Sequence, residues 1–168
     1  MKTLIVIDVQ NDFITGSLAN PEAEKIIPNI KNKIEEYRQK GIPIIFTKDS
    51  HCDEVYDKTI EGKFLPIHHC IVGTWGHDIV DGLSLPTDEI IFKSNFGTID
   101  WDMFDFEDVE IIGVCTDICV ISNAIIIKTM IEEFGHTVTV DSSCCAGTTI
   151  ENHQKALDIM RGLNINIK

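Results

Sequence analysis

Short apolar runs alternate along this chain with longer amphipathic segments, and this alternation constrains the fold more than any other feature. Five runs rich in Ile and Val predict buried strands, at residues 3–7, 43–47, 88–92, 109–114 and 136–140, and residues 164–167 predict a weaker sixth strand. Near-continuous apolar strands separated by helices are typical of a parallel sheet covered on both faces. We therefore predict an α/β fold with helices on both sides of a parallel sheet.

The segments between the predicted strands have helical periodicity. One apolar helix face is predicted by four residues at spacings of three and four, namely Ile27, Ile30, Ile34 and Tyr37. We expect Pro28 in the first turn of this helix and Gly41 at its end. Residues 118–133 and 149–161 show similar helical patterns. Because no repeat, low-complexity segment or linker interrupts the pattern, we expect a single domain over residues 1–168.

The charge balance argues against two classes of partner. The chain has 14 Lys and Arg against 27 Asp and Glu, so its net charge is −13. Such a surface repels phosphate backbones and anionic membranes, and we expect neither nucleic acid nor a membrane as a partner. The apolar run at residues 3–7 stops at Asp8, which is too short for a signal peptide or a membrane span. We expect a cytoplasmic protein whose six cysteines stay reduced.

Candidate catalytic residues follow three of the predicted strands. Asp8 follows the first strand, Lys93 follows residues 88–92, and Cys119 is expected in the first helical turn after residues 109–114. Ligands of open α/β sheets bind beyond the carboxyl ends of the strands, where these residues would meet. A helix start and a nearby lysine both favour a thiolate, and free N–H groups there can hold an oxyanion. A buried inert cysteine, a solvated lysine and an ordinary loop aspartate are the alternatives.

Candidate metal ligands lie in the long irregular segment between the second and third strands, where a functional loop is expected. The carboxylates and imidazoles of this segment are Asp49, His51, Glu61, His68 and His69. Such groups suit Zn²⁺, Fe²⁺ or Mn²⁺. Exposed loop histidines are one alternative, and a zinc site that uses Cys52 and Cys70 is another, although their spacing matches no familiar zinc knuckle.

Six motifs occur in one order over nearly the whole chain: IDVQNDF (7–13), TKDSH (47–51), HCIVGTWG (69–76), FKSNFGT (92–98), GVCTDICV (113–120) and VDSSCCAGTT (140–149). In this order they resemble the isochorismatase-like cysteine hydrolases, and most closely the nicotinamidase/pyrazinamidase branch. The resemblance implies a six-stranded parallel sheet in a Rossmann-like order, three layers, and a homo-oligomer such as a dimer or tetramer.

The resemblance also implies how the reaction runs. It makes Asp8, Lys93 and Cys119 a catalytic triad for amide hydrolysis through a thioester, with Cys119 as the nucleophile and Asp8 as the base. It implies a cis peptide bond between Val114 and Cys115. The backbone N–H groups of Cys115 and Cys119 would then form the oxyanion hole.

The same resemblance implies a divalent transition metal, Zn, Fe or Mn, held by Asp49, His51 and His69, with Glu61 as a candidate fourth ligand. The resemblance to nicotinamidases implies that this metal holds the pyridine nitrogen and so orients the carboxamide. Phe13 matches an aromatic residue that lines the substrate pocket. The expected reaction is therefore the deamidation of nicotinamide to nicotinate and ammonia.

Three other functions remain alternatives. A related hydrolase could act on another small amide, and a catalytically silent protein could use the same pocket to bind a ligand. A redox protein that uses Cys144 and Cys145 is disfavoured, because adjacent cysteines form only a strained disulfide. We expect these two residues to be buried thiols in the loop after the fifth strand.

Overall fold

One all-parallel sheet of six strands forms the centre of the protein in a computed structural model, which describes residues 2–168. The strands are β1 (Thr3–Ile7), β2 (Ile44–Asp49), β3 (Glu89–Lys93), β4 (Val109–Val114), β5 (Val138–Ala146) and β6 (Asn166–Ile167). Their order is β3-β2-β1-β4-β5-β6, and every neighbouring pair is parallel. The predicted α/β fold is confirmed, and the strand order reverses between β1 and β4.

Residues 2–168 form five α-helices, and between β3 and β4 the chain forms only a 3₁₀ helix, Asp100–Met103. The α-helices are α1 (Asn11–Ile14), α2 (Pro21–Gln39), α3 (Ile60–Phe64), α4 (Ile121–Ile131) and α5 (Ile150–Gly162). A π-helical turn at Thr116–Val120 directly precedes α4. No helix among residues 2–168 combines the length and the apolar character that crossing a lipid bilayer requires.

The two faces of the sheet carry separate apolar cores. Ile5 and Ile7 of β1 pack with residues of α4 and α5, whereas Leu4 and Val6 pack with residues of α2. Successive strand residues point to opposite faces, so a strand that is buried on both faces must be apolar throughout. This explains why β1 has no polar alternation, and the helices on both faces complete three layers.

Helix α2 begins earlier than the sequence predicted. The expected first-turn residue, Pro28, lies in the interior of the helix, and Pro21 takes the first position instead. The Asn20 side chain caps the helix by accepting two N–H bonds of its first turn, at 3.0 and 3.4 Å. The first turn lacks the apolar stripe on which the prediction depended. At the other end, Gly41 follows the helix with a φ of 64°, as expected.

Strand β5 extends beyond its predicted end. Residue 140 was the predicted limit, but the strand continues to Ala146, and Cys145 pairs with Gly113 of β4 beyond an irregularity in the register. The expectation that Cys144 and Cys145 lie in a loop is therefore wrong, although both are buried. The polar stretch at residues 141–143 interrupts the apolar pattern and conceals the continuity of the strand.

Candidate active site

Four adjacent strands bring polar or reactive residues to one end of the sheet. Asp8 directly follows β1, Asp49 ends β2 and Lys93 ends β3. Cys119 lies in the first helical turn after β4, as predicted, but this turn is π-helical and continues directly into α4. Because the strand order is β3-β2-β1-β4, all four residues meet around the point where the order reverses.

Lys93 lies between the two other members of the predicted triad. Its Nζ is 2.6 Å from Asp8 Oδ2 and 3.7 Å from Cys119 Sγ. Asp8 is fully buried, and Lys93 and Cys119 are each 5% exposed. The Thr47 hydroxyl donates to Asp8 Oδ1 at 2.5 Å and accepts the Asp8 N–H at 3.1 Å. The structure therefore brings the three residues together and adds Thr47, which sequence reasoning missed.

The charges of this group depend on one another. Burial raises the pKa of Asp8, and the positive charge of Lys93 opposes this rise. Burial alone would lower the pKa of Lys93, but the neighbouring Asp8 and Cys119 outweigh it, so this pKa is raised. The ammonium therefore stays charged and can balance one negative charge, either on the carboxylate or on the sulfur.

The thiol of Cys119 is less acidic than the sequence predicted. Burial, and then the Asp8 charge, raise its pKa well above the ordinary value of a thiol, although Lys93 acts in the opposite direction. The prediction of a favoured thiolate considered the helix start and a lysine, but it could not include the loss of hydration at a buried site. A base is therefore needed to ionise this thiol, and Asp8 is adjacent.

The chain approaches Cys119 through an unusual backbone path. The peptide bond between Val114 and Cys115 is cis, as the resemblance implied. The N–H groups of Ile118 and Val120 both donate to the Cys115 carbonyl, at 3.0 and 3.1 Å, and Cys119 lies between them. The π-helical turn thus presents the Cys119 sulfur next to Lys93.

A glycine allows β4 to approach β1 at this point. Gly113 has a φ of 126°, and a Cβ on it would lie 2.1 Å from the carbonyl oxygen of Ile7. Any other residue would clash with the β1 backbone and adopt an unfavourable conformation. Gly113 therefore holds the Cys119 turn close to Asp8, which directly follows Ile7.

Four of the predicted metal ligands form one group. The potential ligand atoms of Asp49, His51, Glu61 and His69 all lie within 4.8 Å of one another. Asp49 Oδ2 lies 3.0 Å from His51 Nε2 and 3.6 Å from His69 Nε2, and Glu61 Oε1 lies 3.5 Å from His69 Nε2. Glu61, a candidate fourth ligand from the sequence, therefore lies within the group.

This donor set fits a divalent cation. Among residues 2–168, the buried Asp49 Oδ1 accepts no hydrogen bond and has only an ion-pair contact of 3.6 Å with Lys93 Nζ, so it can still serve as a ligand of a cation. Burial opposes protonation of His69, but the Asp49 and Glu61 carboxylates outweigh it and raise the pKa of His69 to about 10. The local field therefore favours positive charge, and two imidazoles with two carboxylates suit a borderline metal such as Zn²⁺.

Neighbouring residues orient these ligands. The Tyr56 hydroxyl and the Ile67 carbonyl lie 3.1 and 2.9 Å from His69 Nδ1, so Nε2 faces the group. The Gln10 amide accepts the Asp49 N–H at 2.7 Å and donates to the Asp49 carbonyl at 2.8 Å. Sequence reasoning missed Tyr56 and Gln10, although Gln10 belongs to the first motif.

The remaining candidates of this segment lie outside the group. His68 is partly exposed, and its ring nitrogens pair with Asp53 at 2.6 Å and Asp57 at 3.0 Å. Cys52 is exposed, whereas Cys70 is buried. Neither cysteine belongs to the cluster of potential ligands found within residues 2–168.

An apolar cavity of about 740 Å³ is lined by the thiol and by three of the four potential ligands. Cys119, Asp49, Glu61 and His69 line it, and most of its other wall residues are apolar. Phe13 forms part of the wall, with its ring centroid 5.6 Å from that of His69. A mostly apolar cavity with a few convergent polar groups is the usual form of a small-molecule site.

Residues 2–167 match the model of the Isochorismatase domain. The chain belongs to the isochorismatase family. It is 27% identical to the nicotinamidase of Saccharomyces cerevisiae, with 99% of each chain covered. The structure of a pyrazinamidase/nicotinamidase from Streptococcus mutans superposes with a TM-score of 0.87, 29% identity and complete coverage of both chains.

The structure of the Pyrococcus horikoshii pyrazinamidase in complex with zinc is also similar. It superposes on the present structure with a TM-score of 0.83 and 28% identity, and the superposition covers 99% of the present chain and 98% of the pyrazinamidase chain.

Proposed function

We propose that this isochorismatase-family protein is a metal-dependent cysteine amidohydrolase that converts nicotinamide to nicotinate and ammonia. One observation carries the proposal: a single apolar cavity is lined both by Cys119, with Lys93 and Asp8 behind it, and by three of the four potential metal ligands. The similarity to proteins named nicotinamidase and pyrazinamidase supports a heteroaromatic carboxamide as the substrate.

In the proposed reaction, Asp8 accepts the thiol proton of Cys119, and the sulfur attacks the amide carbon. The backbone N–H groups of Cys115 and Cys119 donate to the oxyanion that forms. Asp8 then gives its proton to the departing nitrogen, the C–N bond breaks, and ammonia leaves a thioester on Cys119. Lys93 stabilises the negative charge as it moves between the carboxylate and the sulfur.

Hydrolysis of the thioester completes the cycle. Asp8 removes a proton from a water molecule, whose oxygen attacks the thioester carbon. The C–S bond breaks, Asp8 gives the proton that it took from the water to the sulfur, and the acid is released. Asp8 thus acts first as a base and then as an acid in each half-reaction, which suits a carboxyl group whose pKa is raised by burial.

Substrate orientation is assigned to the cavity wall and to the metal ligands. Phe13 would pack against the ring of the substrate. Asp49, His51 and His69, with Glu61 as a fourth ligand, would hold a divalent transition cation. When bound, this cation would supply a Lewis acid for the ring nitrogen and so fix the position of the carboxamide.

Another small amide is the alternative substrate. The cavity volume of about 740 Å³ favours this alternative, because a single six-membered ring with one carboxamide fills only a part of it. The chemistry at Cys119 would be the same, and only the group beyond the carboxamide would differ. A homo-oligomeric state and a cytoplasmic location stay predictions.

Ammonia release from a panel of amides tests the proposal. The purified protein is incubated with nicotinamide, pyrazinamide, benzamide and an aliphatic amide, with and without a chelator. We expect the highest kcat/KM for nicotinamide or pyrazinamide, and a loss of activity on chelation that added Zn²⁺, Fe²⁺ or Mn²⁺ restores. Preference for the aliphatic amide would support the alternative, and ammonia release from none of them would contradict amidase activity on this class.

A further inference from the structure

Asn123 of α4 is fully buried, and all four of its hydrogen-bonding positions have partners. Its Nδ2 donates to the carbonyl oxygens of Cys119 at 2.7 Å and Phe96 at 3.0 Å. Its Oδ1 accepts from the Thr98 N–H at 3.2 Å and the Trp101 indole N–H at 2.9 Å. If the amide were rotated by 180°, its NH₂ group would face two N–H donors and its oxygen would face two carbonyl oxygens. These four partners therefore determine the orientation of the amide.

These bonds connect two segments that meet at the candidate active site. One is the turn Thr116–Val120, which carries Cys119 and which we call the thiol turn. The other is the loop after Lys93 at the end of β3, which we call the lysine loop. Lys93 Nζ itself donates to the Asn95 carbonyl of this loop at 3.0 Å. A Cβ at Gly97 would lie 2.7 Å from a side-chain carbon of α4, so the loop packs directly on that helix. Asn123 thus joins the lysine loop to the thiol turn.

Side chains of α4 donate to carbonyl groups of the π-helical turn, which departs from the regular hydrogen-bond pattern of an α-helix. The Ser122 hydroxyl donates to the Ile118 carbonyl at 2.7 Å, and Asn123 donates to the Cys119 carbonyl at 2.7 Å. Of these two side chains, Asn123 also reaches the carbonyl of Phe96, which lines the cavity.

We propose that Asn123 is a positioning residue that holds the Lys93 ammonium and the Phe96 wall at fixed positions relative to the Cys119 sulfur. Without the Asn123 amide, the segment after β3 loses its hydrogen bonds at Phe96, Thr98 and Trp101, and it can move away from the thiol turn. The expected effect on kcat rests on the proposed function, but the expected effect on the rate at which Cys119 reacts with an alkylating agent does not.

The test compares four variants with the metal-loaded wild type. Asn123→Ala removes all four bonds, whereas the hydroxyl of Asn123→Ser can still donate to the Cys119 carbonyl, as Ser122 does one position earlier. Ser122→Ala is the matched control, because it removes a bond to the turn and leaves the loop in place. Tyr37→Phe controls for stability, since it removes a buried hydrogen bond of 2.7 Å to Glu110.

Two properties are measured well below each melting temperature. The first is kcat and KM for the amide that the wild type hydrolyses fastest. The second is the rate of alkylation of Cys119 by iodoacetamide at pH 7, quantified by mass spectrometry of its peptide, which needs no substrate. Protein that has lost its fold is recognised by circular dichroism.

We expect kcat to fall about 10- to 100-fold in both Asn123 variants with little change in KM, since a displacement of about 1 Å has an effect of this order. Alkylation of Cys119 should slow in parallel, and Asn123→Ser should be the more stable of the two. Ser122→Ala and Tyr37→Phe should keep both rates. If Asn123→Ala does not fold, Asn123→Ser still gives both comparisons.

Wild-type alkylation and kcat in a folded Asn123→Ser would overturn the inference. Equal losses in Tyr37→Phe at a similar melting temperature would also overturn it, because general destabilisation would then explain the effect. If the wild type hydrolyses no amide, the proposed function fails, and the alkylation rates alone decide whether Asn123 positions Cys119.

Discussion

Two clusters of buried charge lie on different parts of the sheet, and their surroundings differ. The first, which we call the cavity cluster, consists of Asp8, Asp49, Lys93 and Cys119 at the carboxyl ends of β1 to β4. The second, the Glu110 network, consists of Lys2, Lys33, Tyr37, Glu110 and Asp141. It lies beneath α2, where Glu110 is close to the amino end of β4.

The charges of the Glu110 network are paired. The Glu110 carboxylate accepts hydrogen bonds from Lys2 at 2.6 Å, Lys33 at 2.8 Å and Tyr37 at 2.7 Å. Lys33 also lies 2.8 Å from Asp141. Burial alone would raise the pKa of Glu110, but these partners lower it to about 2. The network thus neutralises its own charges and needs no ligand.

The cavity cluster is only partly paired, because Lys93 Nζ lies 2.6 Å from Asp8 Oδ2 but 3.6 Å from Asp49 Oδ1. Asp49 Oδ1 has no hydrogen-bond partner within residues 2–168, and Asp49 and Cys119 both line the cavity. Burial raises the pKa of Asp8 and that of Cys119 despite the adjacent Lys93. Perturbed pKa values alone therefore do not separate a reactive site from a structural ion pair. A buried acceptor that makes no hydrogen bond, together with an open cavity, does separate the two.

The largest expected effect concerns Cys119 of the thiol turn and Cys115, which directly precedes this turn. Cys119→Ala should lower kcat at least about 10⁴-fold with little change in melting temperature, because it removes a nucleophile and only a small volume. Cys115→Ala should keep substantial activity, since only its backbone N–H is used. Ammonia release and thermal unfolding of both variants check this. Equal activities of the two variants would contradict the assigned roles.

The two charged members of the triad come next. Asp8→Asn and Lys93→Ala should each lower kcat about 10²- to 10⁴-fold, as expected for a proton-transfer group and its partner. Lys48→Ala is the matched control, because Lys48 lies on β2 and pairs with Asp78 at 3.4 Å, outside the cluster. Steady-state kinetics of the three variants check this. A mild effect of Asp8→Asn would leave Cys119 without its base.

Metal binding should distinguish two nearby histidines. The isolated wild type should contain about one divalent transition metal per chain, and His51→Ala should lose most of it, whereas His68→Ala should keep it. His51→Ala should also weaken binding of nicotinamide more than binding of benzamide, which lacks the ring nitrogen. Elemental analysis, with kcat and KM for both substrates, checks this. A metal-free wild type that hydrolyses nicotinamide normally would exclude the metal-oriented mechanism.

In the Glu110 network, substitutions should change stability and not catalysis. Lys33→Met should lower the free energy of unfolding by about 2–4 kcal/mol, because it leaves Glu110 and Asp141 without their buried cation. The loss should be somewhat smaller than for a fully buried pair, since Lys2 and Lys168, which reach solvent, still lie near Glu110. Lys25→Met, on the exposed side of the same helix, should change it little. Urea unfolding and kcat of both variants check this. A large loss of kcat in folded Lys33→Met would remove the contrast between the clusters.

The smallest expected effect is a dependence of stability on pH. Glu110 has a pKa of about 2 in the folded protein, below the ordinary value of 4.5. Its stabilising contribution is therefore complete above about pH 4.5 and is lost as the pH falls toward 2. Glu110→Gln should lose less stability than the wild type between pH 6 and pH 3, as measured by urea midpoints. Parallel curves for the two proteins would contradict this.

Several features could be predicted because they depend on local sequence. The apolar runs located β1 and β4 without error, since a strand buried on both faces must be apolar along its whole length. Asp8 and Lys93 were identified from their positions at strand ends. The start of α2 was missed because Asn20 and Pro21 determine it through capping and not through an apolar stripe.

The sequence by itself determined the alternation of strands and helices, the residue types at the strand ends and the order of the motifs. Only the tertiary structure decided that Glu61 belongs with His51 and His69 while His68 does not. It also decided that the Cys119 thiol has a raised pKa and that Asn123 joins two loops. Periodicity extends over a few residues, whereas burial and ligand geometry depend on how distant segments approach one another. The pKa of a side chain and its potential ligands are therefore determined by the contacts between segments that are distant in the sequence.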